Sequence, residues 1–172
     1  MAKKVRTAGD PLSVESFHLS NRLLFRLFKT TNRLHTAGTK WTADFNLTTQ
    51  QWSVIGALAR QGYDKGMGVG ALSDFLQITR QNLAGLLQRL DKQGVTQRVL
   101  DPNDGRARLV TLTDQGWEVW EELVKEIAQF YERALDGFSP EEMIQFLFFM
   151  DRLQENLRDI SSEPERGKTQ AN

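Results

Sequence analysis

The segment LSDFLQITRQNLAGLLQRLDKQGVTQRVLDPNDGRARLVTLT, residues 72–113, decides the fold of this chain. Its apolar residues recur twice at helical spacing, with a turn between the two helices, and then alternate as in two strands around a charged loop. Thr79 is a suitable N-cap for the second helix, and Gly94 stands where a left-handed residue ends a helix. This order predicts a winged helix-turn-helix, which presents one helix and one loop to DNA grooves.

Two predicted helices precede this segment and two follow it. An apolar stripe of leucines runs through residues 13–40. Thr48 and Gln51 fit a capping box that opens the second helix. A fifth helix is predicted from Asp114 to about Asp136, and a further capping box, Ser139–Glu142, opens the sixth. The predicted fold class is therefore mainly α, with a small β-hairpin wing and with N- and C-terminal helices on either side of the winged helix-turn-helix.

Some finer expectations follow from the same patterns. The stretch 62–68 is rich in glycine and is interpreted as a connector. The inner face of the third helix is predicted to hold Ala71, Leu72, Phe75 and Leu76. The apolar side of the fifth helix is predicted to hold Trp120, Leu123, Val124, Ile127 and Tyr131.

The sixth helix is apolar on every side over one stretch, because residues 146–150 are five apolar residues in succession. More than one face of such a helix must be buried. In a chain of 172 residues we expect the second face to meet another subunit, which predicts a homodimer. A helix bundle within one chain is the alternative.

The domain organisation follows from these elements. Residues 1–12 and 161–172 are polar and are predicted to be disordered tails. Residues 13–45 are predicted to form an N-terminal helix, residues 46–113 the winged helix-turn-helix domain for DNA binding, and residues 114–160 the C-terminal dimerisation helices.

Composition argues against several classes of protein. The chain has no cysteine, which excludes disulfides, thiolate metal sites and thiol redox switching. No apolar run approaches the roughly 20 residues that span a bilayer, so no membrane partner is expected, and the N-terminus does not resemble a signal peptide. A cytoplasmic protein is expected. The two histidines lie in no catalytic motif, and no metal-ligand spacing occurs, so we expect no catalytic residues, no metal and no cofactor.

The net charge is zero, but the charges are unevenly distributed along the chain. Residues 1–78 carry +5, residues 79–113 carry +3 and residues 114–172 carry −8. Charges are largely screened beyond about 8 Å at physiological salt, so DNA would sense the local basic surface more than the acidic end. A plain solvated face on the acidic helices explains the pattern equally well.

The second helix of a helix-turn-helix enters the major groove through its N-terminal residues. Here these residues are Thr79, Arg80, Gln81 and Asn82. Arginine pairs with guanine, amide side chains pair with adenine, and a helix N-terminus holds a phosphate oxygen. Two further residues, Gln88 and Arg89, are predicted to contact phosphates or flanking bases. The alternative is an ordinary solvated helix face, but this helix has no carboxylate from Arg80 to Leu90.

The hairpin loop is the predicted wing. Asn103 and Arg106 project between the strands, and Arg108 stands behind them. An arginine at such a tip suits a narrow A·T-rich minor groove. Asp104 does not favour phosphate, and we expect it to hold an arginine or the turn backbone.

Four segments in this order resemble the multiple antibiotic resistance regulator (MarR) family of bacterial transcription factors. They are Leu47–Trp52 at the second helix, Val69–Gly94 at the helix-turn-helix, Asp101–Arg106 at the wing and Leu112–Gly116 at the start of the fifth helix. The resemblance covers about residues 17–158. One departure is Gly105, which stands where the family wing usually has the first of two arginines.

The resemblance implies a homodimer held by the first, fifth and sixth helices. It also implies a near-palindromic double-stranded DNA operator, with the protein most often a repressor that a small ligand releases. Geometry agrees, because two recognition helices must lie about 34 Å apart to occupy successive major grooves. A winged-helix module for protein–protein contact, without sequence-specific DNA binding, is the alternative function.

The resemblance also implies a small-molecule effector. Family members that sense oxidants use a cysteine, which this chain lacks, whereas others resemble sensors of small aromatic acids. A guanidinium can pair with a carboxylate, and aromatic rings can form pocket walls. The candidate residues for an aromatic carboxylate are His18, Arg22, Arg26, Trp41, Phe45 and Trp52. The alternative is an arginine stripe that faces water, a surface histidine at position 18 and a tryptophan at position 52 that belongs to the core.

Overall fold

The computed structural model describes residues 14–60, 62 and 65–162. Its elements are, in chain order, α1 (Val14–Trp41), the 3₁₀ turn η1 (Ala43–Phe45), α2 (Thr49–Leu58), β1 (Met67–Gly68), α3 (Val69–Leu76), α4 (Arg80–Lys92), β2 (Thr96–Leu100), β3 (Arg108–Leu112), α5 (Asp114–Ala134) and α6 (Pro140–Ser162). The mainly helical fold with a small wing is confirmed.

The predicted tails lie almost wholly outside the described residues. Ser161 and Ser162 are the exception, because they form the end of α6. The C-terminal tail was therefore predicted to begin two residues too early. The chain divides into two units, one that ends at Phe130 and one that begins at Tyr131.

The core of the first unit is formed by leucines and other apolar side chains from four helices and two strands. Helix α4 contributes four buried leucines at positions 83, 86, 87 and 90. Helix α2 supplies Val54, Ile55 and Leu58, and α5 supplies Leu123 and Ile127. Burial of each such side chain contributes roughly 1.5–3 kcal/mol, so this core holds the recognition helix in place.

The wing belongs to a three-stranded antiparallel sheet in the order β1-β3-β2. Strand β1 was missed, since the sequence predicted only a connector over residues 62–68. The strand has two residues, and its Met67 is buried and pairs with Val110. Gly66 has a φ of 96°, and a Cβ there would lie 2.7 Å from the carbonyl oxygen of Val110. A glycine is needed at position 66 because the backbone passes so close to Val110, and not because the segment must be flexible.

The predicted caps are confirmed. Thr48 and Gln51 form a full capping box, and the Oγ1 of Thr79 accepts from the backbone N–H of Asn82 at 3.2 Å. After α4, Gly94 takes a φ of 73°, and the N–H of Val95 donates to the carbonyl of Leu90. These local hydrogen bonds set where α2 and α4 begin and where α4 ends.

The inner face of α3 differs from the prediction. Leu72 is buried as expected, but Ser73 is buried instead of Ala71 and Phe75. The Ser73 hydroxyl donates to the carbonyl of Ile78 at 2.7 Å and so closes the turn before α4. Phe75 is largely exposed, with the guanidinium of Arg60 over its ring.

Helix α5 starts at a crowded junction. The Oγ1 of Thr113 accepts from the N–H of Gly116 at 2.9 Å, and a Cβ on Gly116 would lie 2.1 Å from the carbonyl oxygen of Val95. The predicted apolar side was partly wrong, because Val124 and Tyr131 are exposed whereas Phe130 is buried. Tyr131 keeps about half of its surface covered, and this partial burial raises the pKa of its hydroxyl.

The second unit contains α6, which the predicted capping box opens. Ser139 and Glu142 exchange hydrogen bonds through each other's side chain and backbone N–H. The described part of α6 has no buried residue, and its aromatic residues Phe148 and Phe149 flank the guanidinium of Arg152. Across the described ranges, no helix is both long enough and apolar enough to cross a membrane.

Candidate nucleic-acid interface

The outward face of α4 is built from polar and cationic side chains. All six predicted contact residues of the helix-turn-helix are exposed: Thr79, Arg80, Gln81, Asn82, Gln88 and Arg89. The leucines on the opposite side are buried, so helical periodicity places these six toward solvent. The Thr79 oxygen accepts the capping bond, which leaves its hydroxyl hydrogen available to a phosphate oxygen.

Gly85 lies on the same helix and has open space around it. A Cβ at Gly85 would have no described heavy atom within 4 Å. Glycine inside a helix costs roughly 1 kcal/mol relative to alanine, and packing within the described chain does not explain it here. The small residue leaves room for close approach of another molecule to the backbone of α4.

The wing loop is ordered by its two aspartates. An Asp101 carboxylate oxygen accepts from the N–H of Asn103 at 2.8 Å, and one of Asp104 accepts from the N–H of Arg106 at 3.0 Å. Asp104 therefore holds the turn backbone, which was one of its two predicted roles. The side chains of Asn103 and Arg106 remain exposed, as does Arg108 at the start of β3.

Neither packing nor backbone conformation requires a glycine at position 105 of this loop. No described heavy atom lies within 4 Å of a Cβ built at this position, and the residue has no positive φ. The backbone would therefore accept the arginine that the family wing usually has here.

Arg80 contacts the start of α3. Its guanidinium nitrogen lies 3.5 Å from the position that a Cβ of Gly70 would occupy. The side chain therefore rests beside the preceding helix, at the edge of the proposed DNA surface. Rotation about its side-chain bonds is enough to turn the guanidinium outward.

Comparison with known proteins agrees with this geometry. The MarR family profile matches residues 45–107, from η1 to the wing. The transcriptional activatory protein BadR of Rhodopseudomonas palustris is 40% identical over 161 residues, which cover 93% of this chain and 91% of BadR. The chain belongs to the MarR family. It is a winged-helix member of a family of DNA-binding transcriptional regulators.

Two further MarR relatives extend this comparison. The homoprotocatechuate degradative operon repressor of Escherichia coli is 28% identical over 106 residues, which cover 62% of this chain and 70% of the repressor. A solved structure of Bordetella bronchiseptica BpsR, whose DNA binding is regulated by 6-hydroxynicotinic acid, is 26% identical with a TM-score of 0.64. That match covers 77% of this chain and 98% of BpsR.

The aromatic candidates for the effector site lie beside the core of this MarR protein. Trp52 is 6% exposed and meets the ring of Phe130 edge-on at 5.7 Å. The indole N–H of Trp41 donates to the carbonyl of Glu126 at 3.0 Å, and Phe45 packs against the same core while remaining partly exposed. Trp52 is thus a core residue, while Trp41 and Phe45 keep accessible edges.

The polar candidates lie elsewhere on α1. His18, Arg22 and Arg26 are exposed and lie, with Phe25 and Lys29, on the open surface of this one helix. Fifteen residues separate Arg26 from Trp41, which is about 22 Å along a helix at 1.5 Å per residue. One protomer therefore does not bring the two groups together, and their shared role in effector binding stays a prediction. Within the described residues, no three His, Asp or Glu side chains gather as a metal site.

Proposed function

We propose that this MarR protein is a ligand-responsive transcriptional regulator that binds a near-palindromic operator as a homodimer. One observation carries the proposal: α4 buries its leucines and presents an outward face of exposed arginines and amides without a carboxylate from Arg80 to Leu90. In this proposal Arg80, Gln81 and Asn82 read bases, Thr79, Gln88 and Arg89 hold phosphates, and the wing reaches the minor groove. Residues 46–113 are the proposed DNA-binding domain.

The apolar residues of α1 and α6 support the homodimer. Phe17, Leu23 and Phe28 on α1, and Leu147 and Phe148 on α6, are each more than half exposed. Exposed apolar surface of this extent marks association surfaces. We assign residues 13–45 and 114–160 to dimerisation, which would supply two recognition helices for two half-sites.

The proposed effector is an aromatic carboxylate. BpsR responds to 6-hydroxynicotinic acid, and the E. coli relative represses an operon for the degradation of an aromatic compound, both of which support this class. Since one protomer holds the arginines apart from the aromatic rings, the proposed pocket combines Arg22 and Arg26 of one protomer with the edges of Trp41 and Phe45 of its partner. Effector binding would weaken operator binding only through unequal affinity for the two states.

Repression is the proposed output, and activation is the second candidate. BadR, the relative with 40% identity, is an activatory protein, which favours activation. The same dimer can do either, because the output depends on where the operator lies relative to the promoter. In vitro transcription from a promoter with the selected operator distinguishes the two by the direction of the change.

Selection from a random duplex library, followed by titration of the recovered sequence, tests the proposed function. We expect a near-palindromic site and a log–log salt slope for binding that is clearly negative, with roughly 0.9 counterions released for each phosphate contacted. Benzoate and 6-hydroxynicotinate at millimolar concentration should release the DNA. A monomer that shows no salt-sensitive binding to any duplex would favour the protein–protein module instead.

A further inference from the structure

Polar side chains bridge the C-terminal end of α4 and the corner where η1 leads into α2. Gln93, the C-cap residue of α4, donates from its Nε2 to the carbonyl of Asn46 at 3.1 Å. Its Oε1 accepts from the Nε2 of Gln51 at 3.4 Å. These partners precede Gln93 by 47 and 42 residues, so the bridge is a tertiary contact that local sequence patterns do not signal.

Gln51 is held firmly on its other side. The residue is 3% exposed, and its Oε1 accepts from both the N–H and the Oγ1 of Thr48, each at 3.0 Å. Its side-chain oxygen thus completes the capping box, and its side-chain nitrogen points to Gln93. Loss of the Gln93 side-chain oxygen would leave a buried amide without this partner, which is costly.

The corner is also tied to the end of α1. Asn46 adopts a φ of 54°, and its N–H donates to the carbonyl of Ala43 at 2.9 Å. The hydroxyl of the buried Thr42 is shared between the carbonyls of Gly38 and Leu47, both at 3.0 Å. The end of α1 is therefore connected to the corner through Thr42, and the corner is connected to α4 through Asn46 and Gln93.

These bonds differ in kind from the contacts that the leucines of α4 make. Its four leucines make apolar contacts, which depend on buried area and tolerate small shifts. Hydrogen bonds require a narrow range of distance and angle, so they define the position of a helix more closely. The bridge is placed at the end of α4 opposite to the base-reading residues, where a small rotation would move Arg80 and Asn82.

We propose that Gln93 is a positioning residue that fixes α4 relative to the end of α1 through Gln51 and Asn46, and thereby sets the preference for the operator over other DNA. This inference rests on the proposed function. It also supplies a route for regulation, because Phe45 ends η1 at this corner and Trp41 ends α1 just before η1. An effector that displaces the corner would move α4 through this bridge.

The test uses the full chain with Gln93→Met, which keeps the length of the side chain and removes both hydrogen bonds. Gln50→Met is the matched control, because Gln50 is exposed on α2 beside Gln51. Affinity for the selected operator and for a random duplex of equal length is measured at one salt concentration, well below the unfolding temperature. We expect about tenfold weaker operator binding by Gln93→Met, with random-duplex affinity unchanged within about twofold.

The ratio of the two affinities separates positioning from stability. A merely structural role would lower the melting temperature and leave the ratio for the folded protein equal to that of Gln50→Met and the wild type; this result would overturn the proposal. A wild-type protein without operator preference would instead overturn the proposed function, and this inference with it.

Discussion

Helices α4 and α1 both carry an apolar stripe, yet they use it differently. The four leucines of α4 are at most 3% exposed, because α2, α3 and the sheet cover them. On α1, Phe17, Leu24 and Phe28 lie on one face and are 48–64% exposed. Apolar surface gains about 25 cal/mol per Å² on leaving water. The apolar partner of α4 thus lies in its own chain, whereas the stripe of α1 is available to a second copy.

The largest effect on dimerisation and operator binding is expected when charges are placed on the apolar stripe of α1. The double change Leu24→Glu with Phe28→Glu should give monomers, since burying unpaired carboxylates in an interface costs several kcal/mol. Operator affinity should fall by at least about 100-fold, because a monomer reads one half-site only. Sedimentation and duplex titration measure both, with Arg33→Glu as the exposed control on the opposite side of the same helix. A stable dimer with full affinity would contradict the assignment of α1.

Two leucines, Leu87 on α4 and Leu24 on α1, test whether each helix packs within its own chain or against a second copy. Leu87→Ala should reduce the free energy of unfolding by about 2–5 kcal/mol, since the side chain is fully buried within one chain. Leu24→Ala should raise the dimer dissociation constant, whereas Leu87→Ala should leave it nearly unchanged, because the proposed contact of Leu24 is between protomers. Denaturant unfolding measures the loss of stability, and sedimentation over a hundredfold range of protein concentration measures the dissociation constant. Equal dissociation constants for the two variants would remove the distinction.

The outer face of α4 makes a smaller and more selective prediction. Arg80→Ala should cost roughly 1–3 kcal/mol on the operator and relax base preference at one position of each half-site. Arg89→Ala should weaken all duplexes alike and reduce the salt slope by about 1. Titration of the operator and of its single-base variants separates the two. If both changes affected every sequence equally, Arg80 would be a phosphate contact.

A substitution in the wing should have the smallest effect on duplex binding, and it is the one change here that should raise affinity. Gly105→Arg should fit without strain, because a side chain there meets open space. One added cation near the minor groove should tighten duplex binding severalfold and make the salt slope steeper by about 1. Gly105→Gln serves as the neutral control of similar reach. Unchanged affinity in low salt would show that the loop tip does not approach DNA.

Elements with a local chemical signal could be predicted from the sequence. The caps at Thr48 and Thr79 and the turn at Gly94 depend on residues within one or two helical turns, and all three are confirmed. Strand β1 was missed because two residues are too few for a strand pattern, and its pairing partner Val110 lies 43 positions later. The burial of Ser73 in place of Phe75 on the inner face of α3 was also missed. A buried serine hydroxyl needs a hydrogen-bond partner, here the carbonyl of Ile78, and the sequence alone does not show that this partner is within reach.

Periodicity and turn chemistry in residues 72–113 were enough to specify a winged helix-turn-helix and to name the side chains on its outer surface. Those signals act over a few residues, through backbone geometry and the alternation of polar with apolar groups. The pairing of β1 with β3, and the bridge from Gln93 to Gln51, became visible only in three dimensions. They depend on the distance between segments far apart in the chain, and that distance is set by how the helices pack rather than by any neighbouring residues.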